Sequence, residues 1–549
     1  MLRVITFVSL LLAVPVLGVL GSWLVFDAGS FETLRHQWRT VLPEYLWNSG
    51  LLALGVGVGV ALLGGATAAA VTLFDFPLRR HFEWALLLPL AMPAYVLAYA
   101  YTDFLQFSGP LQMALREVSG AQGALWPDVR SLPGATVLFI LCLYPYVYLL
   151  TRAALGERAV PLMEAARLLG AGTVRRVREV ALPLARPALA AGVALALMET
   201  LADYGVVSYF GVPTVTTGIY QAWLGMDDRI AASQLASILL AGVALLMWLE
   251  RQAQRRLRFS AGRRGAAHGA EARPAALRGA AAAFAFGLCL LPVLLGFVLP
   301  VLVLLRLVAL EAHDAGALDA VAWSRFLQWG WTSLRLALTA SALAVALSLA
   351  LAFANRIQPG SLLRWATRVV ALGDGVPGAV IAVGILLPVG WLQAAAPGAG
   401  TTALVTGTSF GLLYAYLVRF SAASFQSIEA GYARLPVSVD EAARTLGTSR
   451  RRLFLELHAP LLQRSALAAA LLVFVDVMKE LPATLLLRPF DSDTLAVVAY
   501  QLARDERLGE AALPSIAIVV VGLIPVLLLS AAIRESPAAK QISLLPANT

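Results

Sequence analysis

The run LPSIAIVVVGLIPVLLLSAAI at 513–533 carries no charge, and it is one of many such runs along the chain. Another, LLALGVGVGVALLGGATAAAVTLF, fills 51–74. Each is long enough to cross a bilayer, which takes roughly 20 apolar residues in a helix. In hydrocarbon every backbone N–H and C=O must be satisfied within the protein, so only helices or a closed barrel can span it. The alternation of a barrel strand is absent here, which leaves helices. Composition agrees: 59% of the 549 residues are hydrophobic and 14% charged, against roughly 45–50% and about 25% in soluble domains. The expected fold is therefore an all-α polytopic membrane protein.

Twelve candidate spans can be placed, near 4–26, 49–74, 84–103, 134–157, 186–208, 233–250, 280–308, 333–355, 368–391, 402–422, 463–485 and 512–533. The first begins MLRVITFVSLLLAV. Its apolar run is longer than the roughly 7–15 residues of a signal peptide, and an uncleaved first helix is expected. Between the sixth and seventh spans, RQAQRRLRFSAGRRGAAHGAEARPAALR (251–278) is basic and lacks apolar periodicity. It reads as a cytoplasmic linker between a first half, 1–250, and a second, 279–549. The net charge of +9 comes mostly from arginines between apolar runs, a topology signal rather than a nucleic-acid surface. With both termini inside, the basic connections 75–83, 356–368 and the linker are cytoplasmic, while the mixed or acidic loops 27–48, 311–320 and 486–511 face outward. Cys142 and Cys289 both lie in apolar stretches, so neither a disulfide framework nor a Cys/His metal site is expected.

Six helices per half make both halves enter from the same side. They would be parallel repeats related by a pseudo-twofold axis along the membrane normal. Two polar segments support a duplication: EAARLLGAGTVRRVREVALP at 164–183 and EAARTLGTSRRRLFLELHAP at 441–460, offset by 277 residues. With that offset Glu199 falls opposite Asp476 and Asp203 opposite Glu480; further on, YQAWLGMDDR (220–229) matches YQLARDER (500–507).

Each polar segment reads as a short helix, a turn and a second helix. Glu164 and Glu441 are expected to begin the first helix, where a carboxylate favours the positive end of the dipole. Ala165, Ala166, Ala442 and Ala443 are small enough to let another protein's surface approach. Gly170 and Gly447 sit where a helix ends in a left-handed residue, and Pro183 and Pro460 mark entry to the next helix. The pattern E-A-A-x3-G-x9-hydrophobic-x-L-P resembles the EAA loop of ABC importer permeases, the membrane subunits of binding-protein-dependent uptake systems. Val180 and Leu182 complete the first copy; the second has Leu457, but Ala459 where the pattern has Leu. The resemblance implies that both segments are coupling helices, docking in grooves on two copies of a cytoplasmic ATPase subunit. It also implies a periplasmic substrate-binding protein as partner, and a bacterial inner membrane as location. The chain cannot bind ATP through a P-loop, because its two lysines, Lys479 and Lys540, follow Met and Ala rather than Gly. ATP and Mg²⁺ are therefore expected on the partner, with no cofactor on this chain.

Four acidic residues, Glu199, Asp203, Asp476 and Glu480, fall within apolar spans, where a charge is costly and marks a candidate pathway. They would suit a cationic substrate. Equally, they could pair with cations such as Lys479, or cap helix ends at the water interface. In each pair the second acid is expected one helical turn beyond the first, on the same face. The stretches 198–223 and 479–514 resemble fused ferric-iron permeases of the same superfamily, which points to ferric iron delivered by the binding protein. Thiamine and polyamines are carried by related permeases. Loop charges at Asp227–Arg229 and Asp505–Arg507 would face such a partner, or simply be solvated. Twelve helices in two parallel halves also describe a proton-coupled secondary transporter, against which the paired EAA segments speak. No G-x-S-x-G elbow, nucleotide fingerprint or catalytic cluster points to an enzyme.

Overall fold

The computed structural model describes residues 2–25, 28–156, 160–261, 274–314, 320–358, 360–371 and 373–534. Helices dominate, and the sheet among the described residues is a two-residue parallel bridge of Phe74–Asp75 with Ala275–Ala276. Nine helices among the described residues are long and apolar enough to cross a membrane, or eleven if two bent pairs each count as one span. The chain is an all-α polytopic membrane protein.

Most expected spans have their helix, but several boundaries differ for physical reasons. The span at 84–103 is broken by a 90° bend between Arg79–Ala91 and Ala94–Ser119. Met92 is extended there, because the ring of the following Pro93 disfavours the helical region for its neighbour. Likewise the span at 368–391 begins only at Gly378, after Pro377, and runs to Ala395. The span expected at 402–422 coincides with Ser409–Tyr432, a 24-residue helix that is not among the nine. The linker is helical in its first part, since Arg229–Ala261 runs unbroken past 251. Residues 262–273 of it lie outside the described residues.

The chain divides into two compact units, each drawn from three separate segments. One comprises Met1–Tyr45, Val215–Ala241 and Leu318–Val498. At its centre Ala320–Ile357, Ser409–Tyr432 and Ala459–Met478 pack against one another, and Leu2–Gly21 lies along Ser361–Val370 and Gly378–Ala395. That last contact is backbone to backbone: a Cβ on Gly18 would stand 2.4 Å from the Gly384 carbonyl oxygen. Small residues permit such approach, and in lipid close packing rather than water exclusion holds helices together.

The other unit comprises Leu46–Thr214, Gly242–Ala317 and Ala499–Thr549. Here Leu132–Ala154 packs on Leu182–Ala202, and Leu299–Asp314 on Leu508–Arg534. Its buried tyrosines spend their hydroxyls on carbonyls at the end of the helix Arg79–Ala85, Tyr144 donating to Leu86 O at 2.9 Å and Tyr148 to Glu83 O at 3.0 Å. Arg152 pairs with Glu83 at 2.9 Å. Buried polar groups must find partners in this way, and a helix end supplies acceptors that a helix interior does not.

Candidate functional site

Both EAA segments fold into a short helix, a left-handed turn and a second helix. The first helices are Val160–Leu168 and Val437–Thr445. Each starts four residues before its EAA glutamate, so Glu164 and Glu441 sit in the second turn rather than beginning the helix. The residues before them, VPLM and VSVD, join the helix, and Pro161 is tolerated near its start. The acid in the first turn of the second helix is Asp440. Gly170 and Gly447 have φ of 82° and 73°. Around them Ala171 N bonds Ala166 O at 3.0 Å, and Thr448 N bonds Ala443 O at 3.1 Å. A six-residue bond of this kind closes a helix whose next residue is left-handed.

Beyond the turn the two copies again agree. A single α-turn leads into a π-helical stretch, Val177–Ala181 in one and Leu453–His458 in the other, which continues directly into Leu182–Ala202 and Ala459–Met478. Pro183 and Pro460 stand in the first turn of those helices. The wider π-turn just before them accommodates residues that lack an N–H and would clash with an α-helical carbonyl. Arg175 pairs with Glu179 at 2.9 Å and Arg452 with Glu456 at 2.8 Å, the same pair at the same offset. Ala459 lies in regular helix, so its departure from the leucine pattern leaves the local fold unchanged.

The EAA faces are open to solvent: Glu164, Ala165, Glu441, Ala442, Gly170 and Gly447 are exposed. Beside them stand Leu168 at 85%, Leu169 at 88% and Leu446 at 84% exposure. Large apolar side chains thus stand exposed beside the polar face of both segments. The EAA pattern alone does not single these leucines out; their position just before the turn glycine is the signal.

The acidic residues are arranged differently from the helical stack that spacing suggests. The helices end at Ala202 and Met478, so Asp203 and Glu480 lie beyond them rather than one turn further along. Each accepts from the backbone three residues on, Asp203 from Val206 N at 2.8 Å and Glu480 from Ala483 N at 2.9 Å. Each thereby satisfies an N–H at the start of the next short helix, Gly205–Tyr209 or Pro482–Leu487. Glu480 also accepts from Thr484 N at 3.0 Å and pairs with Arg419 Nη1 at 2.9 Å. Its side chain is 1% exposed, a carboxyl group away from water with a guanidinium and hydrogen bonds to meet it. Arg419, inside the apolar LLYAYLVRFSAASF, is itself a sequence signal that some acid must meet it. Asp476 pairs with Lys479 at 2.9 Å, whereas Glu199 is exposed. Among the described residues no group of three or more His, Cys, Asp or Glu side chains is placed to hold a metal ion.

Residues 61–259 match the family described as the binding-protein-dependent transport system inner membrane component. Over 509 residues, 92% of both chains, the sequence is 24% identical to the Fe(3+)-transport system permease protein FbpB 2 of Haemophilus influenzae. This chain resembles an ABC importer permease of the ferric-iron type. Other permeases match one half's length: the sulfate transport permease CysT of Salmonella typhimurium is 28% identical over 44% of this chain and 86% of its own. The molybdenum transport permease ModB of Escherichia coli is 27% identical over 39% and 98%. The family match contains the first EAA segment of this chain; the second segment lies outside it and rests on the internal likeness.

Proposed function

We propose that the chain is a transmembrane subunit, carrying two permease halves, of an ATP-driven importer that takes ferric iron from a periplasmic binding protein into the cytoplasm. The carrying observation is the likeness to a ferric-iron permease along 92% of both chains, where the sulfate and molybdenum permeases match one half's length. Val160–Gly170 and Val437–Gly447 act as two coupling helices, one for each of two ATPase subunits, and both termini are cytoplasmic. What supports two equivalent docking points is the recurrence of the left-handed glycine, the π-turn and the Arg–Glu pair at one offset.

The composition of the units supports a duplication too. Their boundaries fall after 45, 214 and 241 in the first half and after 317 and 498 in the second. Each unit thus takes the middle of one half and the ends of the other. A proton-coupled carrier would need no ATPase, and there the exposed leucines beside both EAA segments would have no counterpart.

The test is ATP hydrolysis by the chain reconstituted with its ATPase, in the presence of candidate binding proteins with and without Fe³⁺. Stimulation by the Fe³⁺-loaded protein is the expected result. Stimulation by a sulfate-, molybdate-, thiamine- or polyamine-loaded protein instead would replace iron while keeping the importer. Failure of any ATPase to co-purify would leave the secondary carrier standing.

A further inference from the structure

The second coupling helix is tied to the membrane helices by a buried polar chain, whereas at the matching positions of the first half the described residues pack as an apolar cluster. Arg356, at the end of Ala320–Ile357, donates from Nε to Asp440 Oδ2 at 2.6 Å, and from Nη2 to the carbonyls of Leu435 and Pro436 at 2.9 and 3.0 Å. His458, the last residue of the π-turn, meets the other carboxylate oxygen of Asp440 at 2.8 Å through Nε2. Its Nδ1 lies 3.2 Å from the hydroxyl of Tyr432, the last residue of Ser409–Tyr432. With Asp440 ionised, Nε2–H of His458 donates to it. The rings of Phe353 and Tyr432 stand edge-on to His458, each at 5.4 Å. The side chains of Asp440 and His458 are 5% and 1% exposed.

At the equivalent positions of the first half, 277 residues earlier, stand Arg79, Leu155, Met163 and Ala181. Leu155, Met163 and Ala181 form one buried apolar cluster with Leu73 and Ala185. Arg79 donates from Nε to the Val71 carbonyl at 2.6 Å and pairs at 3.4 Å with Glu83, which Arg152 also meets, so its guanidinium is engaged away from Met163. The contrast is physical. An apolar cluster holds its members without a required angle. A charge-assisted bond to a carboxylate has a required length and angle.

We propose that Asp440, gripped by Arg356 and His458, is a positioning residue that fixes the second coupling helix rigidly to the membrane helices, while the first coupling helix rides on a compliant apolar seat. The two ATPase docking points are then mechanically unequal, and the second sets the geometry of transmission. This rests on the coupling role proposed above.

The experiment uses the full chain assembled with its ATPase in proteoliposomes, supplied with whichever loaded binding protein stimulates hydrolysis. Substrate taken up per ATP hydrolysed is measured for the wild type and for Asp440→Asn, which keeps shape and removes the charge. The expected result is a complex that still co-purifies and hydrolyses ATP, with substrate per ATP down by roughly tenfold, within the range of ordinary inter-site coupling. A merely structural role would lower yield while leaving that ratio intact. Should Asp440→Asn fail to assemble, the double variant Asp440→Met with His458→Ala supplies the first half's residues and leaves neither partner of the Asp–His pair unanswered. It is expected to assemble and to show the same low ratio. A ratio equal to wild type in either assembled variant overturns the proposal alone. A wild-type chain that binds no ATPase overturns it together with the coupling role.

Discussion

Asp440 and Glu480 are both acids with little exposure to water, and each keeps its place through an arginine some distance away in sequence. Burial alone would push the carboxyl of Asp440 up. The hydrogen bonds and charges of Arg356 and His458 outweigh it and hold the group below its ordinary 3.8. A carboxyl held low in the folded state contributes stability that is fully present above its ordinary value, and that is lost as pH falls through the folded one. The melting temperature of the purified chain should therefore exceed that of Asp440→Asn by a constant margin above about pH 5. The margin should close only in stronger acid. Elsewhere in the chain, Glu199 and Asp476 are the acids without a backbone-capping bond among those described above, which makes them the better pathway candidates of the four. Exchanging both, Glu199→Gln with Asp476→Asn, is expected to abolish uptake while the ATPase still co-purifies. Uptake at the wild-type rate would remove the pathway role. Spacing alone marked all four acids, but could not show which would be consumed by capping. That depends on where a helix stops, and the stops at Ala202 and Met478 leave Asp203 and Glu480 free to cap the short helices that follow.

At the scale of elements, the EAA segments were the most legible part of the chain. Glycine at a helix end has a local physical reason, and both glycines adopt the left-handed conformation that reason requires. A Cβ on Gly447 would meet nothing within 4 Å, so Gly447→Val tests the backbone by itself. Strain of about 1–2 kcal/mol is expected from a side chain in that region. Retained yield with weakened ATPase binding is the expected outcome, measured by titrating the ATPase onto the detergent-purified chain. Gly447→Asn should lose less, because asparagine visits the left-handed region more readily. The helix starts at Val160 and Val437 were not legible, since nothing local distinguishes the four preceding residues from loop. Nor were the π-turns: the extra residue per turn is a response to the prolines that follow and to packing around His458 and Ala181. The bend at Met92–Pro93 was legible in principle, because a proline inside an apolar run is a local signal of a break.

For the whole molecule, hydropathy was enough to give the class and most of the spans, since the bilayer imposes one length on every helix that crosses it. It could not give the partition into units, because which helix packs on which is decided by surface shape. The units interleave segments from both sides of the linker. Cutting the chain within 251–278 and producing the pieces separately should therefore yield two fragments that are each degraded. Produced together, they should recover a complex that co-purifies, scored by tagging one fragment and blotting for the other. Independent stability of either fragment would show that the halves, rather than the units, are what folds.

The contact of Leu2–Gly21 with Gly378–Ala395 also has a meaning in time. Synthesis proceeds at about 5–20 residues per second, so the first helix waits roughly twenty to seventy seconds before its partner exists. Through that interval its small-residue face, centred on Gly18, lies against lipid or against whatever insertion factor shelters it. Anything that slows translation across the second half lengthens the period in which this helix can pair wrongly. The vulnerability of the chain during its making is therefore concentrated in its first helix, although the residues that end it lie far downstream.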